Sequence, residues 1–178
     1  ISDAHGAIAH PDGIDLAALD HYVTQSPSRG VSGFPGARAI DPQNLLTLPC
    51  DVLAPCALGG VITPQVAERI QASIVLEGAN GPTEPDADTI LDQRGIITLP
   101  DILTNAGGVL VSYYEWVQNV QHFHWPLERI RHEQERQTVK AFKEVHAEAQ
   151  AHAISLRRAA FRIAIRKVDA ATEHGGLY

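Results

Sequence analysis

A chain of 178 residues with 44% hydrophobic residues is long enough to bury one sizeable core. Its net charge of −7, with the basic residues scattered or paired with acids, disfavours a nucleic-acid groove, and no run approaches the ~18 consecutive apolar residues a membrane span needs. There is no signal-peptide pattern, and the absence of methionine makes the chain read as a fragment of a longer product.

Residues 1–3 read as the end of a strand, and a helix is predicted from Asp15, with apolar positions Leu16, Leu19 and Val23. Cys50 and Cys56 flank the run "DVLAP", residues 51–55. A bridge between them would bend that strand back on itself, so both are read as reduced thiols, which points to the cytoplasm. "DVLAP", "IVLE" at residues 74–77 and "IITL" at 96–99 are short, unalternating and rich in aliphatic residues, as buried parallel strands are. Helix signals separate them: Thr63 and Pro64 open "TPQVAERI" with a hydroxyl cap and a first-turn proline, and Thr83 with Asp86 forms a capping-box pattern before "ADTILDQRG", which Gly95 ends. Strand, helix, strand, helix, strand with short links predicts right-handed crossovers and a doubly wound sheet.

From about residue 108 the character turns helical. Residues 126–151 carry an apolar seam at Leu127, Ile130, Ala141, Phe142, Val145 and Ala149. Ser155 is placed to cap a last helix whose face holds Leu156, Ala160, Ile163, Val168 and Ala171, with Gly175 and Gly176 as its stop. Without repeats or a low-complexity linker, one α/β unit over 1–178 is expected, with helices at its carboxyl end.

In an open parallel sheet, ligands bind outside the carboxyl ends of the strands. Those positions hold Cys56 and Ala57, then "GANGPT", then "PDILTNAGG". Glycine and asparagine are ordinary turn residues. Asn80 and Asn105 on consecutive strand ends are more pointed, because an amide both donates and accepts. Asp3 is where an acid at a strand end accepts from a ribose hydroxyl in dinucleotide folds, although aspartate is common in turns, and the chain contains no GxGxxG. His122 with His124, and His146 with His152, diverge on a helix and lack a completing ligand, so no metal is expected. Glu115 and Trp116 sit in an aromatic cluster that reads as packing.

Two long stretches, "EGANGPTEPDAD" at 77–88 and "PDILTNAGGVLVSYYEWVQN" at 100–119, closely resemble the carboxyl-terminal cofactor domain of the glutamate dehydrogenases. "SDAHGAIAHPDGID", "GFPGA", "CDVLAPCAL" and "LRRAAFRIAIRKV" agree, so the resemblance covers nearly the whole chain.

The resemblance implies a Rossmann-like, mostly parallel doubly wound sheet, incomplete at its amino-terminal end. It also implies reversible oxidative deamination of L-glutamate to 2-oxoglutarate and ammonia, with NAD, or NADP, taking the hydride. By position, Asp3 would bind the adenosine ribose and Ala57 would contact the cofactor. Asn80 and Asn105 would hold the nicotinamide ribose end. Val109 would line the substrate side-chain pocket, and Ser112 would bond the γ-carboxylate. The family's catalytic Lys and Asp belong to an amino-terminal substrate domain that this chain is expected to lack, so no catalytic residue is assigned within it. No antenna insertion lies between residues 125 and 156, which points to the shorter, bacterial-type enzyme, usually a homohexamer. A leucine, phenylalanine or valine dehydrogenase and a non-catalytic nucleotide-binding module are the alternatives. The apolar-substrate reading is disfavoured because such a pocket would leave the Ser112 hydroxyl unpaired.

Overall fold

A computed structural model describes residues 1–174, and the expected stop at Gly175 and Gly176 lies outside the described residues. The strands fall into two three-stranded sheets. The first is antiparallel: β1 (Ser2–Asp3) turns into β2 (Gly6–Ala9), and β2 pairs with β3 (Arg38–Ile40) in the register Ile8 to Ala39. Residues 1–3 therefore do end in a strand, but it folds back as a hairpin and does not pair with the parallel sheet. Between β2 and β3 runs α1 (Leu16–Gln25), capped by the Asp15 side chain, which accepts from the backbone of Ala17 and Ala18. A four-residue helix, α2 (Pro42–Leu45), follows β3.

The second sheet is parallel and carries the α/β character read from the sequence. Its strands β4 (Val52–Leu53), β5 (Ile74–Leu76) and β6 (Ile97–Leu99) lie side by side in chain order. The crossovers are α3 (Pro64–Ala67) and α4 (Pro85–Gln93). Ile62, Ile70, Val75 and Leu91 are fully buried between sheet and helices. Burying each such side chain contributes at most ~1.5–3 kcal/mol before chain entropy is charged against it. Thr63 caps α3 as expected, accepting from Val66 N at 3.4 Å, with Pro64 in the first turn. The capping box at α4 does not form. Glu84 is the cap residue without a side-chain bond, and the Thr83 hydroxyl is buried with no partner among the described residues. Gly95, at φ +71°, ends α4 as predicted: Gly95 N reaches Asp92 O and Ile96 N reaches Leu91 O, a reversal that needs the left-handed residue. Arg94 then turns back to donate to the carbonyls of Ala67 and Ile70, closing the open end of α3.

The remainder is helical, as expected. After the single turn α5 (Asp101–Thr104) come α6 (Gly107–Gln121), α7 (Leu127–His152) and α8 (Leu156–His174). Ser155 Oγ accepts from Arg158 N, as its cap role predicted. Val145 and Ala149 of α7 pack on Ala159 and Ala160 of α8 and on Leu103 of α5. The seam is narrower than the sequence implied: Leu127 stays 57% exposed and Phe142 41%, and on α8 Val168 is 67% exposed. No described helix is long and apolar enough to cross a membrane.

Candidate functional site at the carboxyl ends of the parallel strands

The three strand-end loops are knitted together by backbone bonds. Pro55 O, after β4, accepts from Gly78 N at 3.0 Å and Ala79 N at 2.9 Å, after β5. Gly60 N donates to Gly81 O at 2.8 Å, and Glu77 N donates to Leu99 O of β6 at 3.1 Å. Two glycines make this approach possible. A Cβ on Gly78 would fall 2.7 Å from Cys56 Sγ, and one on Gly59 would fall 2.9 Å from Asn80 O. Cys50 and Cys56 are both free thiols, and burial, then the charge of Asp51, pushes the Cys50 thiol up from its ordinary value.

Across this floor the two predicted asparagines meet. Asn105 Nδ2 donates to Asn80 Oδ1 at 2.6 Å and to Gly78 O at 3.4 Å. That bond uses the acceptor of Asn80 and the donors of Asn105. It leaves the N–H groups of exposed Asn80, and the carbonyl of Asn105, for a ligand that both donates and accepts, as a ribose diol does. Ala57 lies exposed in the adjoining loop.

Beneath the asparagines is a buried charge cluster that sequence reading missed. Glu77, fully buried, accepts from Arg157 Nη2 at 2.6 Å through Oε1 and from Asp101 N at 2.9 Å through Oε2. Arg157, reaching in from α8, also donates through Nε to Asp88 Oδ1 at 3.0 Å and lies 3.7 Å from Asp101 Oδ1. Asp101 accepts from Gly81 N at 2.7 Å, and Thr104 Oγ1 donates to Glu77 O at 2.5 Å. Burial pushes the Arg157 guanidinium down, but the bonds to Glu77 and Asp88 outweigh it and hold the group above its ordinary range. The available signal was a glutamate closing the apolar run "IVLE". An acid there must find a partner, though nothing in the local sequence says that the partner lies 80 residues downstream.

The other predicted residues are dispersed. Val109 and Ser112 stand on α6; Val109 is 75% exposed, and Ser112 Oγ donates to Gly108 O, one turn back, at 3.1 Å. Gly108 has open space where a Cβ would be, whereas Gly107 packs against the end of the Gln134 side chain. Asp3 sits on the antiparallel sheet, where its carboxylate accepts from His5 N and Val31 N, each at 2.7 Å. Desolvation pushes its pKa up, but those backbone bonds prevail and hold it below the ordinary value. Each carboxylate oxygen keeps a lone pair, so the exposed group can still accept from a hydroxyl. Asp3 thus lies on the antiparallel sheet and the asparagine pair at the ends of the parallel strands, each with hydrogen-bonding capacity left over. Glu115 and Trp116 are exposed on α6, with Trp116 in contact with Tyr113, and α6 ends before His122, which adopts φ +52°. Among the described residues no three His, Cys, Asp or Glu side chains converge as a metal-ligand group.

Comparison with known proteins places the chain in a family. A family model for glutamate/leucine/phenylalanine/valine dehydrogenases matches residues 1–176. The glutamate dehydrogenase of Thermotoga maritima is 44% identical over the whole chain, which spans 42% of that protein's length. Among solved structures, the hetero-hexameric glutamate dehydrogenase of Thermus thermophilus, in a leucine-bound form, superposes with a TM-score of 0.85 at 30% identity, covering 97% of this chain and 40% of that one. The glutamate dehydrogenase of Peptoniphilus asaccharolyticus gives 0.68 at 42% identity, over 80% and 38%. With α/β architecture, parallel strand-end loops and a match along nearly its full length, the chain belongs to the glutamate/leucine/phenylalanine/valine dehydrogenase family.

Proposed function

We propose that this chain is the dinucleotide-binding part of an NAD(P)-linked glutamate dehydrogenase that interconverts L-glutamate with 2-oxoglutarate and ammonia. The observation that carries the reading is the Asn80 and Asn105 pair at the carboxyl ends of β5 and β6, with donors and an acceptor left for a ribose. The nicotinamide, when bound, accepts the hydride. The chain's own residues bind and orient: Asn80 and Asn105 hold the nicotinamide ribose, Ala57 lines the loop beside it, and Asp3 accepts from the adenosine ribose. A carboxylate at Asp3 repels a 2′-phosphate, which favours NAD. Val109 and Ser112 face the amino acid side chain, and the acid-base lysine and aspartate come from a substrate domain outside these residues. A hexameric assembly is supported by the Thermus relative, which is hetero-hexameric, and a cytoplasmic setting by the two free thiols.

One observation favours a second reading, a dehydrogenase for apolar amino acids. The single Ser112 proton is spent on Gly108 O, and a hydroxyl cannot donate it to a γ-carboxylate at the same time. Glutamate recognition therefore needs Ser112 to rotate as substrate arrives. A hydrogen bond to a charged group is worth ~1.5–3 kcal/mol, or roughly 10- to 150-fold in specificity. In the full-length protein, Ser112→Ala is expected to lower kcat/KM for glutamate by about that factor and to leave norvaline, which lacks the carboxylate, nearly untouched. Equal losses for both would remove Ser112 from the substrate pocket. Faster turnover of leucine than of glutamate by the unaltered protein would replace the first reading with the second.

A further inference from the structure

We propose that Arg157 is a positioning residue for the nicotinamide end of the site: it sets the relation between the two asparagine loops and so the affinity for that half of the dinucleotide. This rests on the dinucleotide-binding reading above.

Asn80 is three residues beyond Glu77, and Asn105 is four beyond Asp101. The relative placement of Glu77 and Asp101 therefore decides whether the two amides stand 2.6 Å apart. Three contacts hold those acids in register. Asp101 N donates to Glu77 Oε2, Thr104 Oγ1 donates to Glu77 O, and Arg157 touches the carboxylates of Glu77 and Asp101 together. Asp101 also binds Gly81 N, in the turn just past Asn80, so its carboxylate grips both loops at once.

Three acids surround one cation, and Glu77 is fully out of water. Without the guanidinium, Glu77 would be a buried charge lacking its counter-ion, and the loops would shift to admit water or a proton. A lysine could not substitute. A planar fork meets Glu77 through Nη2, Asp88 through Nε and Asp101 through Nη1, whereas a single ammonium is a point charge. Arg157 touches neither asparagine, so it acts through the acids it holds.

A purely structural staple would loosen the whole binding surface equally, and the test reads that difference. Affinities of the full-length protein for NADH and for ADP, which lacks the nicotinamide and its ribose, are measured by calorimetry for the unaltered protein, Arg157→Lys and Asp88→Asn. Arg157→Lys keeps the positive charge beside buried Glu77, and Asp88→Asn, the safer variant for folding, loosens the arginine from its outer side while leaving Glu77 paired. Arg157→Lys is expected to weaken NADH roughly 10-fold, the size of one or two lost hydrogen bonds, and to leave ADP within about twofold. Asp88→Asn should shift the same ratio less. Parallel losses for both ligands, or an unchanged NADH affinity, would overturn the positioning role alone. If the unaltered protein bound neither ligand, the dinucleotide reading itself would fall, and this role with it.

Discussion

The two sheets are held together by different means. In the antiparallel sheet, β1 and β2 are joined by a tight hairpin, and the surrounding loop is tied to it by polar bonds near solvent: Asp3 to His5 and Val31, Ser32 Oγ to His5 O at 2.6 Å, and Tyr22 OH to Ser32 O at 2.9 Å. Its apolar core is small, with Ile8, Leu19, Val31 and Phe34 buried. In the parallel sheet the order is reversed. A larger aliphatic core lies under strands paired in parallel, and the charged groups beneath the site are mostly withdrawn from water and paired, with Glu77 wholly so. Water competes for the first kind of contact and not for the second. The same chemical loss should therefore cost more in the parallel half.

The largest effect follows from the core. Leu91 is fully buried in a cluster with Ile62, Ile70 and Val75, and removing its side chain leaves a cavity within the core that β5 forms with the segments flanking α3. Leu91→Ala is expected to destabilise by ~2–5 kcal/mol. Ile8→Ala, in a smaller cluster with more freedom to collapse, should fall at or below the low end of that range. Urea midpoints at fixed slope measure both. A greater loss at Ile8 than at Leu91 would break the comparison.

The same contrast explains what could be read from the sequence. "DVLAP", "IVLE" and "IITL" declare strands because each is a short aliphatic run without helical spacing, although only Leu53 and Val75 within β4, β5 and β6 are buried, and Val52 and Ile97 stay 48% and 53% exposed. Gly95 declared a helix end because only a left-handed residue closes that reversal. The antiparallel sheet was missed because β1, β2 and β3 are two to four residues long, too short for an alternation to develop. Asn80 and Asn105 were legible as a pair by their place after consecutive strands. Arg157 was not, since it sits in a helix beside Arg158 and the two look alike until the fold brings one of them to Glu77. The expected cap at Thr83 failed for a related reason: the turn that delivers Pro82 into the core also buries the Thr83 hydroxyl away from the helix it would have capped.

A smaller effect tests whether the asparagines act together. Asn80→Ala and Asn105→Ala should each weaken NADH binding by ~0.5–1.5 kcal/mol in the full-length protein, and the double variant should lose less than the sum, because the 2.6 Å bond between them is removed by either change. Strict additivity in calorimetric affinities would mean that the two amides serve separate ligand groups and that their mutual bond is incidental.

The smallest effect lies at Asp3. Its folded pKa is below the ordinary carboxylate value, so the stability it contributes is present above the unfolded pKa and is lost as pH falls through the folded one. That window lies below about pH 4. The carboxylate is exposed, so water replaces much of what is lost, and Asp3→Ala should cost less than ~1 kcal/mol. Stability is therefore a poor readout, and the backbone amides are a better one. As pH falls, the His5 and Val31 amide resonances should shift with a common midpoint, since both donate to the one titrating group, and Asp3→Asn should abolish the movement at both. Amides that titrate apart would show that the group does not join hairpin and loop in solution. A common midpoint that falls further when NAD is added would show the ribose hydroxyls donating to the same carboxylate, because a further donor to the charged form lowers the pKa again.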